Sequence, residues 1–247
     1  MNRYCILLLV TAASLDSYAQ GSVIPSNVRA VNTIERLTDS NGLGNNEMLY
    51  GIPIPEGKVI GDTYLSTEWK TSVILLYDKN KLIEGFPARY DIKADEIDIK
   101  GASGVKVLEG RRVKSFMWMD STRAEPYYFI NAKEFKVDGI PMVGFYEVLV
   151  DGNIPLLKKM NVTVKKADYN VTLSIGSRDD KILKNPTYYV ADGNNAYEIP
   201  GSKKKFLQLL KSKAGEVESY MDSNGLSIKK EEELVLICKY YNSLKNN

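Results

Sequence analysis

The sequence predicts an α+β protein: an antiparallel β-meander, or a partly closed barrel, followed by a short C-terminal helical segment. Three observations predict it. From Lys70 to Met160, apolar residues recur at every second position or in short β-branched runs, as in strands half or wholly buried in a sheet. The runs are punctuated by Asp138-Gly139 and Asp151-Gly152, and later by Asp192-Gly193; this pair favours the hairpin turn that needs φ > 0. Hairpins rather than helical crossovers therefore join the strands. After Pro200-Gly201 the apolar spacing lengthens to about 3.6, the helical period.

The first stretch reads as an address. Asn2-Arg3 is a short positive start, Tyr4 to Ala13 an apolar core too short to span a bilayer, and Ser17-Tyr18-Ala19 a small-residue cleavage site. Residues 1–19 are thus expected to be a signal peptide, cleaved before Gln20, with the mature chain exported to the periplasm or cell surface. Residues 20–57 read as a flexible N-terminal arm, rich in turn residues at Asp39–Asn46.

Residues 58–200 form the expected antiparallel β-domain. Thr71–Tyr77 is β-branched and aromatic and stops at the polar turn Asp78–Lys81. In the next run Leu82, Glu84, Phe86, Ala88, Tyr90 and Ile92 share one face. Pro87 lies inside that run and cannot donate to a ladder, which marks an edge or a bulge. Glu96–Lys100 alternates charged and apolar residues, as in a sheet with one wet face. Val113–Met119, Tyr127–Ile130, Val143–Val150 and Ile154–Lys158 continue the meander. Val162 and Val164, then Tyr169, Val171, Leu173 and Ile175, read as further strand, and Tyr188–Ala191 with Ala196–Ile199 as a compact hairpin.

Residues 201–247 form the expected C-terminal helices. Ser202 can cap Lys203–Lys211, whose apolar side is Phe206, Leu209 and Leu210. Ala214–Ser223 presents Val217, Tyr220 and Met221 and stops at Asn224-Gly225. Lys230–Leu244 begins with Glu231–Glu233, which suit the positive end of a helix dipole, and carries the stripe Leu234, Ile237, Cys238, Tyr241, Leu244.

Composition excludes several chemistries. The 247 residues contain no histidine, which removes Ser-His-Asp and Cys-His catalysis, imidazole bases and His-ligated zinc or haem. With 33 Lys+Arg against 31 Asp+Glu, no global field calls for nucleic acid. Once Cys5 leaves with the signal peptide, Cys238 is alone and cannot form an intramolecular disulfide; on its apolar stripe it reads as a buried structural thiol. Gly101–Gly104 lacks the Gly-Lys-Ser/Thr ending of a phosphate loop, and no cofactor motif is expected.

Four stretches are familiar together: Gly61–Trp69; Ala88–Ile92; Gly144–Gly152 followed by Leu156–Lys158; and Lys230–Leu234 ending in Tyr240–Leu244. They resemble a family of exported bacterial proteins of uncharacterised activity. The resemblance covers about residues 58 to 244 and implies one co-inherited unit; it implies no catalytic residues.

Asp91, Asp95, Glu96 and Asp98 cluster on one hairpin, and two acids suffice for glycoside cleavage. Their alternation with Ile92, Ile97 and Ile99 points them to water instead, and the spacing lacks the glycine and D-x-D-x-D pattern of a calcium loop. Lys203–Lys205 and Lys229-Lys230 read as solvated charge. Asn161–Thr163, Asn170–Thr172 and Asp120–Thr122 are weak glycosylation patterns. The best ligand-binding residues are the aromatics Trp69, Phe116, Trp118, Tyr127 and Phe129. Phe116 and Trp118 share a face while Met117 takes the other, so both faces are apolar there. Either the C-terminal helices or a ligand must cover the second face, and helix packing is the simpler reading. The function expected is a non-enzymatic exported binding or structural protein. Its partner would be an envelope component, apolar or glycan. A carboxylate-only hydrolase of envelope glycan and a carrier of an apolar ligand are the alternatives.

Overall fold

A computed structural model describes residues 57–120, 125–170 and 173–244 of the chain. The expected signal peptide, the arm up to residue 56, and parts of Asp120–Thr122 and Asn170–Thr172 lie outside these residues.

The meander grows outward from β2 (Lys70–Leu76) through the hairpins β3 (Leu82–Asp91), β4 (Glu96–Gly101) and β5 (Gly104–Glu109). On the other side of β2 come β6 (Val113–Trp118), β7 (Tyr127–Asn131), β10 (Phe145–Val150), β11 (Leu156–Lys165), β12 (Asp180–Asp192) and β13 (Asn195–Glu198). The short hairpin β8 (Lys136–Val137) and β9 (Ile140–Pro141) continues the sheet beyond β13. All pairs are antiparallel except two: β1 (Val59–Ile60) lies parallel to β12, and β8 parallel to β13. The sheet is therefore mixed rather than purely antiparallel, because these two short strands dock after long returns.

Register shifts on β2/β3, β2/β6 and β10/β11 bend the sheet. The first lies opposite Gly85, whose φ of +80° supplies the left-handed backbone a bulge wants. It also corrects the expected face of this strand. Ile83 packs inward before the bulge and Ala88 and Tyr90 after it, while Leu82 and Phe86 stay exposed. Pro87 stands where β3 pairs with β2 alone, since β4 joins only from Ala88 onward. The curl brings Ile74, Phe116, Phe129 and Phe145 against Ala88, Tyr90 and Ile97 in one core. The sheet does not close. A strap, Gly61–Trp69, crosses the opening. Its lead-in β1 is paired to β12, and farther on Tyr64 bridges Asp91, Leu65 N–H donates to Tyr90 O (2.8 Å) and Ile92 N–H to Thr63 O (2.9 Å).

Three C-terminal helices follow: α1 (Lys203–Leu209), α2 (Ala214–Asn224) and α3 (Glu231–Ser243). Ser202 holds the N-cap position of α1, Gly225 ends α2 at φ +63°, and Glu231–Glu233 open α3. Phe206, Leu210, Val217, Met221, Leu234, Ile237 and Cys238 pack on Val150, Leu156 and Val190. The helices thus cover β10–β12 and leave the aromatic centre of β6 and β7 to the curled sheet, which corrects the helix-packing expectation. No helix among the described residues is long and apolar enough to cross a membrane.

Two further expectations change. Asp151-Gly152 opens a five-residue loop between Val150 and Leu156 rather than a two-residue turn. Asn242 of α3 accepts from Ile154 N–H (3.0 Å) and donates to Ile154 O (3.0 Å), and a Cβ at Gly152 would stand 2.7 Å from its side chain. Asp138-Gly139 does form the two-residue turn, with both residues at positive φ. Of the expected strand Tyr169–Ile175, Val171 lies outside the described residues; Tyr169, Leu173 and Ile175 belong to no strand, and Asn170 makes only an isolated bridge to Ile175. β11 runs unbroken to Lys165, opposite Lys181, so the chain must reverse between them; Leu173 and Ile175 remain 63% and 60% exposed.

Candidate functional site

Alternation on β10 and β11 aims Phe145, Glu147, Lys158 and Met160 into the curl, and the strap lays Leu65 and Ser66 opposite them. Between these walls lies an open cleft of about 300 Å³, with Trp118, Tyr127 and Phe129 as its aromatic side and Lys70 at its rim. It narrows inward to a recess of about 20 Å³ against Tyr90 and Phe145, room for roughly one water.

The aromatic side is held by the rings behind it. Phe116 stacks on Phe129 at 4.5 Å, Trp118 meets Phe129 edge-on at 5.1 Å, and Phe145 closes on Phe116 at 5.0 Å. Trp118 is buried, and its indole N–H meets no acceptor among the described residues.

Two lysines, each paired with two carboxylates, flank this apolar surface. Lys70 reaches Asp120 at 2.9 Å and Glu68 at 3.3 Å; those carboxylates hold its ammonium above the ordinary lysine value. Lys158 reaches Glu231 at 2.9 Å and its cross-strand partner Glu147 at 3.3 Å. Burial pulls the Lys158 ammonium down, but the two carboxylates outweigh it and the balance is upward. Tyr188 donates to the same Glu231 oxygen (2.9 Å), and burial followed by that bond pushes its phenol up to about 12. Next along β11, Lys159 makes no such pair among the described residues, and burial lowers it.

Of the residues expected to bind ligand, Trp118, Tyr127 and Phe129 line the cleft. Phe116 lies behind them in the core, 1% exposed. Trp69 is elsewhere: the Arg89 guanidinium lies 4.5 Å from its ring and 3.9 Å from that of Tyr64, away from the cleft. The strap explains the displacement, because it turns outward at Trp69 to fasten on β3. Leu65, Ser66, Lys70, Glu147, Lys158 and Met160 escaped sequence reasoning. The signal that could have found one pair is the β10–β11 register, which sets Glu147 opposite Lys158. The five-residue loop hid it.

Three carboxylates of the acidic cluster hold turns and the strap, and one part of its reading is corrected. Asp98 was expected to face water but is 8% exposed, because the strap covers that face of β4; it accepts from Arg89 (3.0 Å) and Tyr64 (3.1 Å). Asp91 accepts from Thr63 (2.6 Å) and from the Lys93 and Ala94 amides, and Asp95 from Tyr90 (2.9 Å). Among the described residues no group of three or more Cys, Asp or Glu side chains is placed to hold a metal ion. Cys238 is buried in the helix core, and burial pushes its thiol up to about 12.

The familiar stretches meet in space. Gly61–Trp69 binds Ala88–Ile92 through Tyr64 and Leu65, and the β10–β11 hairpin meets α3 through Lys158–Glu231 and Asn242. No family model, curated protein or solved structure matches the chain.

Proposed function

We propose that this is an exported, non-enzymatic binding protein of the periplasm or cell surface, one of the exported family that its four familiar stretches resemble. Its ligand is a small molecule of mixed polarity, such as a sugar unit of an envelope glycan, held in the cleft under the strap. The observation that carries the reading is the convergence of Trp118, Tyr127 and Phe129 with the half-buried pairs Lys70–Asp120 and Lys158–Glu147 on one open space. Aromatic faces take the apolar side of a ring, and fixed charges orient its hydroxyls. The charges weigh against a purely apolar cargo, whose burial would strand them. The engagement of Asp91, Asp95 and Asp98 in holding turns and strap weighs against a carboxylate hydrolase built on that cluster.

Ligand-observed NMR with an N-acetylated disaccharide, and with octanoate as the apolar comparison, tests the cleft. The disaccharide is expected to bind, and Met160→Trp and Tyr127→Ala each to abolish binding while the fold persists. Binding of octanoate alone, or disaccharide binding unchanged in both variants, would overturn the reading. Export rests on the pattern in residues 1–19, and N-terminal sequencing of the mature protein should begin at Gln20; a start at Met1 would sink it.

A further inference from the structure

Tyr127 and Tyr128 are neighbours on β7, so they leave the sheet on opposite faces. Tyr127 enters the cleft. Tyr128, 39% exposed, enters a separate groove of about 520 Å³ on the other side, and that groove has no role in the reading above. Its lining continues through Ile130 on β7, Phe135 in the turn after it, Val148 and Leu149 at the end of β10, and Leu157 on β11. Both charged residues on the lining, Glu125 and Asp151, are acidic.

From these features we infer that the groove docks a segment of a partner protein that carries apolar side chains flanked by lysine or arginine. Three observations specify that occupant. The floor is pre-formed: Leu157 is 1% exposed and shares one buried cluster with Tyr146, which lies beneath the lining, wedged edge-on between Phe135 (5.7 Å) and Tyr189 (5.2 Å). Little ordering is then required on binding. β7 is paired on both sides, by β6 and β10, so the partner cannot add as a strand and must be read through its side chains. The groove, of about 520 Å³ and open to solvent along one side, has room for a few side chains, and among the described residues its charged lining is carboxylate alone, which selects a cationic flank.

The test is fluorescence anisotropy of the full chain with a labelled synthetic peptide of alternating leucine and lysine, against a matched leucine–glutamate peptide. The lysine peptide is expected to bind at least about tenfold more tightly, with the gap narrowing as salt is raised. Tyr128→Ser weakens both peptides. Glu125→Lys with Asp151→Asn reverses the preference. Val105→Ser on the exposed outer strand β5 changes neither. Equal binding of the two peptides, no binding of either, or a preference untouched by both groove variants overturns the proposal. The cleft is read separately by the disaccharide titration, so failure of one site leaves the other standing.

Discussion

The two halves of the sheet bury their inner faces with different materials. Over β10–β12 the cover is three helices, and the core between is largely aliphatic: Leu156, Val190, Leu210, Leu234 and Ile237 fill it and are all buried. Over β2–β7 the cover is the sheet's own curl and one extended strap, and the core is aromatic: Phe116, Trp118, Phe129, Phe145 and Tyr90. Helices carry side chains all round and can fill the space against a flat sheet. A single strap offers only every second residue, so Leu65 covers part of the opening and a cleft remains beside it. The charged pairs sit where the two covers meet, with Lys158 reaching from the curl to Glu231 at the start of α3. Open space is left at the seam.

This contrast can be broken most severely at the helix end. Leu234→Ala opens a cavity in a fully buried aliphatic core and should cost about 2–5 kcal/mol in urea unfolding. The near-ultraviolet signal of Trp118 should survive below the transition. Loss of that signal in the folded variant would show that the two cores are one.

The seam comes next. Lys158→Met removes the cation shared by Glu147 and Glu231 and should cost about 1–3 kcal/mol, whereas Lys159→Met removes a cation that burial already disfavours and should be neutral or stabilising by up to about 1 kcal/mol. Their signs also separate with pH. The raised pKa of Lys158 gives stability fully present below the free lysine value of about 10.4, and lost as pH rises through the folded value. Lys159 is lowered, so its contribution improves as pH climbs from its folded value towards the free one. Melting temperatures on the alkaline side should therefore fall less steeply for Lys158→Met than for the parent; an identical slope would remove Lys158 from the seam.

The strap itself should yield to Arg89→Lys, which keeps the charge near Asp98 but loses the planar contact with Tyr64 and Trp69. The expected loss is about 1 kcal/mol, read as faster hydrogen exchange at the Leu65 and Ile92 amides with exchange in α3 unchanged. Uniform acceleration would mean that the strap is no separate unit. The smallest effect belongs to Lys203→Ala, whose partners Glu218 and Asp222 are exposed; the urea midpoint should not move measurably.

Much of this architecture was legible in the residues. The three helices, their inward stripes, the turn at Asp138-Gly139 and the stop at Gly225 follow from local rules that tertiary contacts did not override. The site was only half legible. Trp118, Tyr127 and Phe129 announced an aromatic surface by type and alternation, but alternation says that a face is covered and never by what. Phe116 and Trp69 satisfy the same pattern and end in the core and on Arg89.

Sequence alone determined the class, the order of the elements and the exclusion of histidine chemistry, since these rest on neighbours a few residues apart. Tertiary structure decided the rest. The bulge opposite Gly85 exchanges which residues face inward, the register of β10 with β11 pairs Glu147 with Lys158, and the strap joins residues near 60 to β12 beyond residue 180. Each is a contact between distant segments, fixed by which packing of the whole sheet buries most apolar surface. The organising stretch Lys70–Met160 is therefore a curled wall with a cleft inside and a groove outside, its two faces separated by the thickness of one strand.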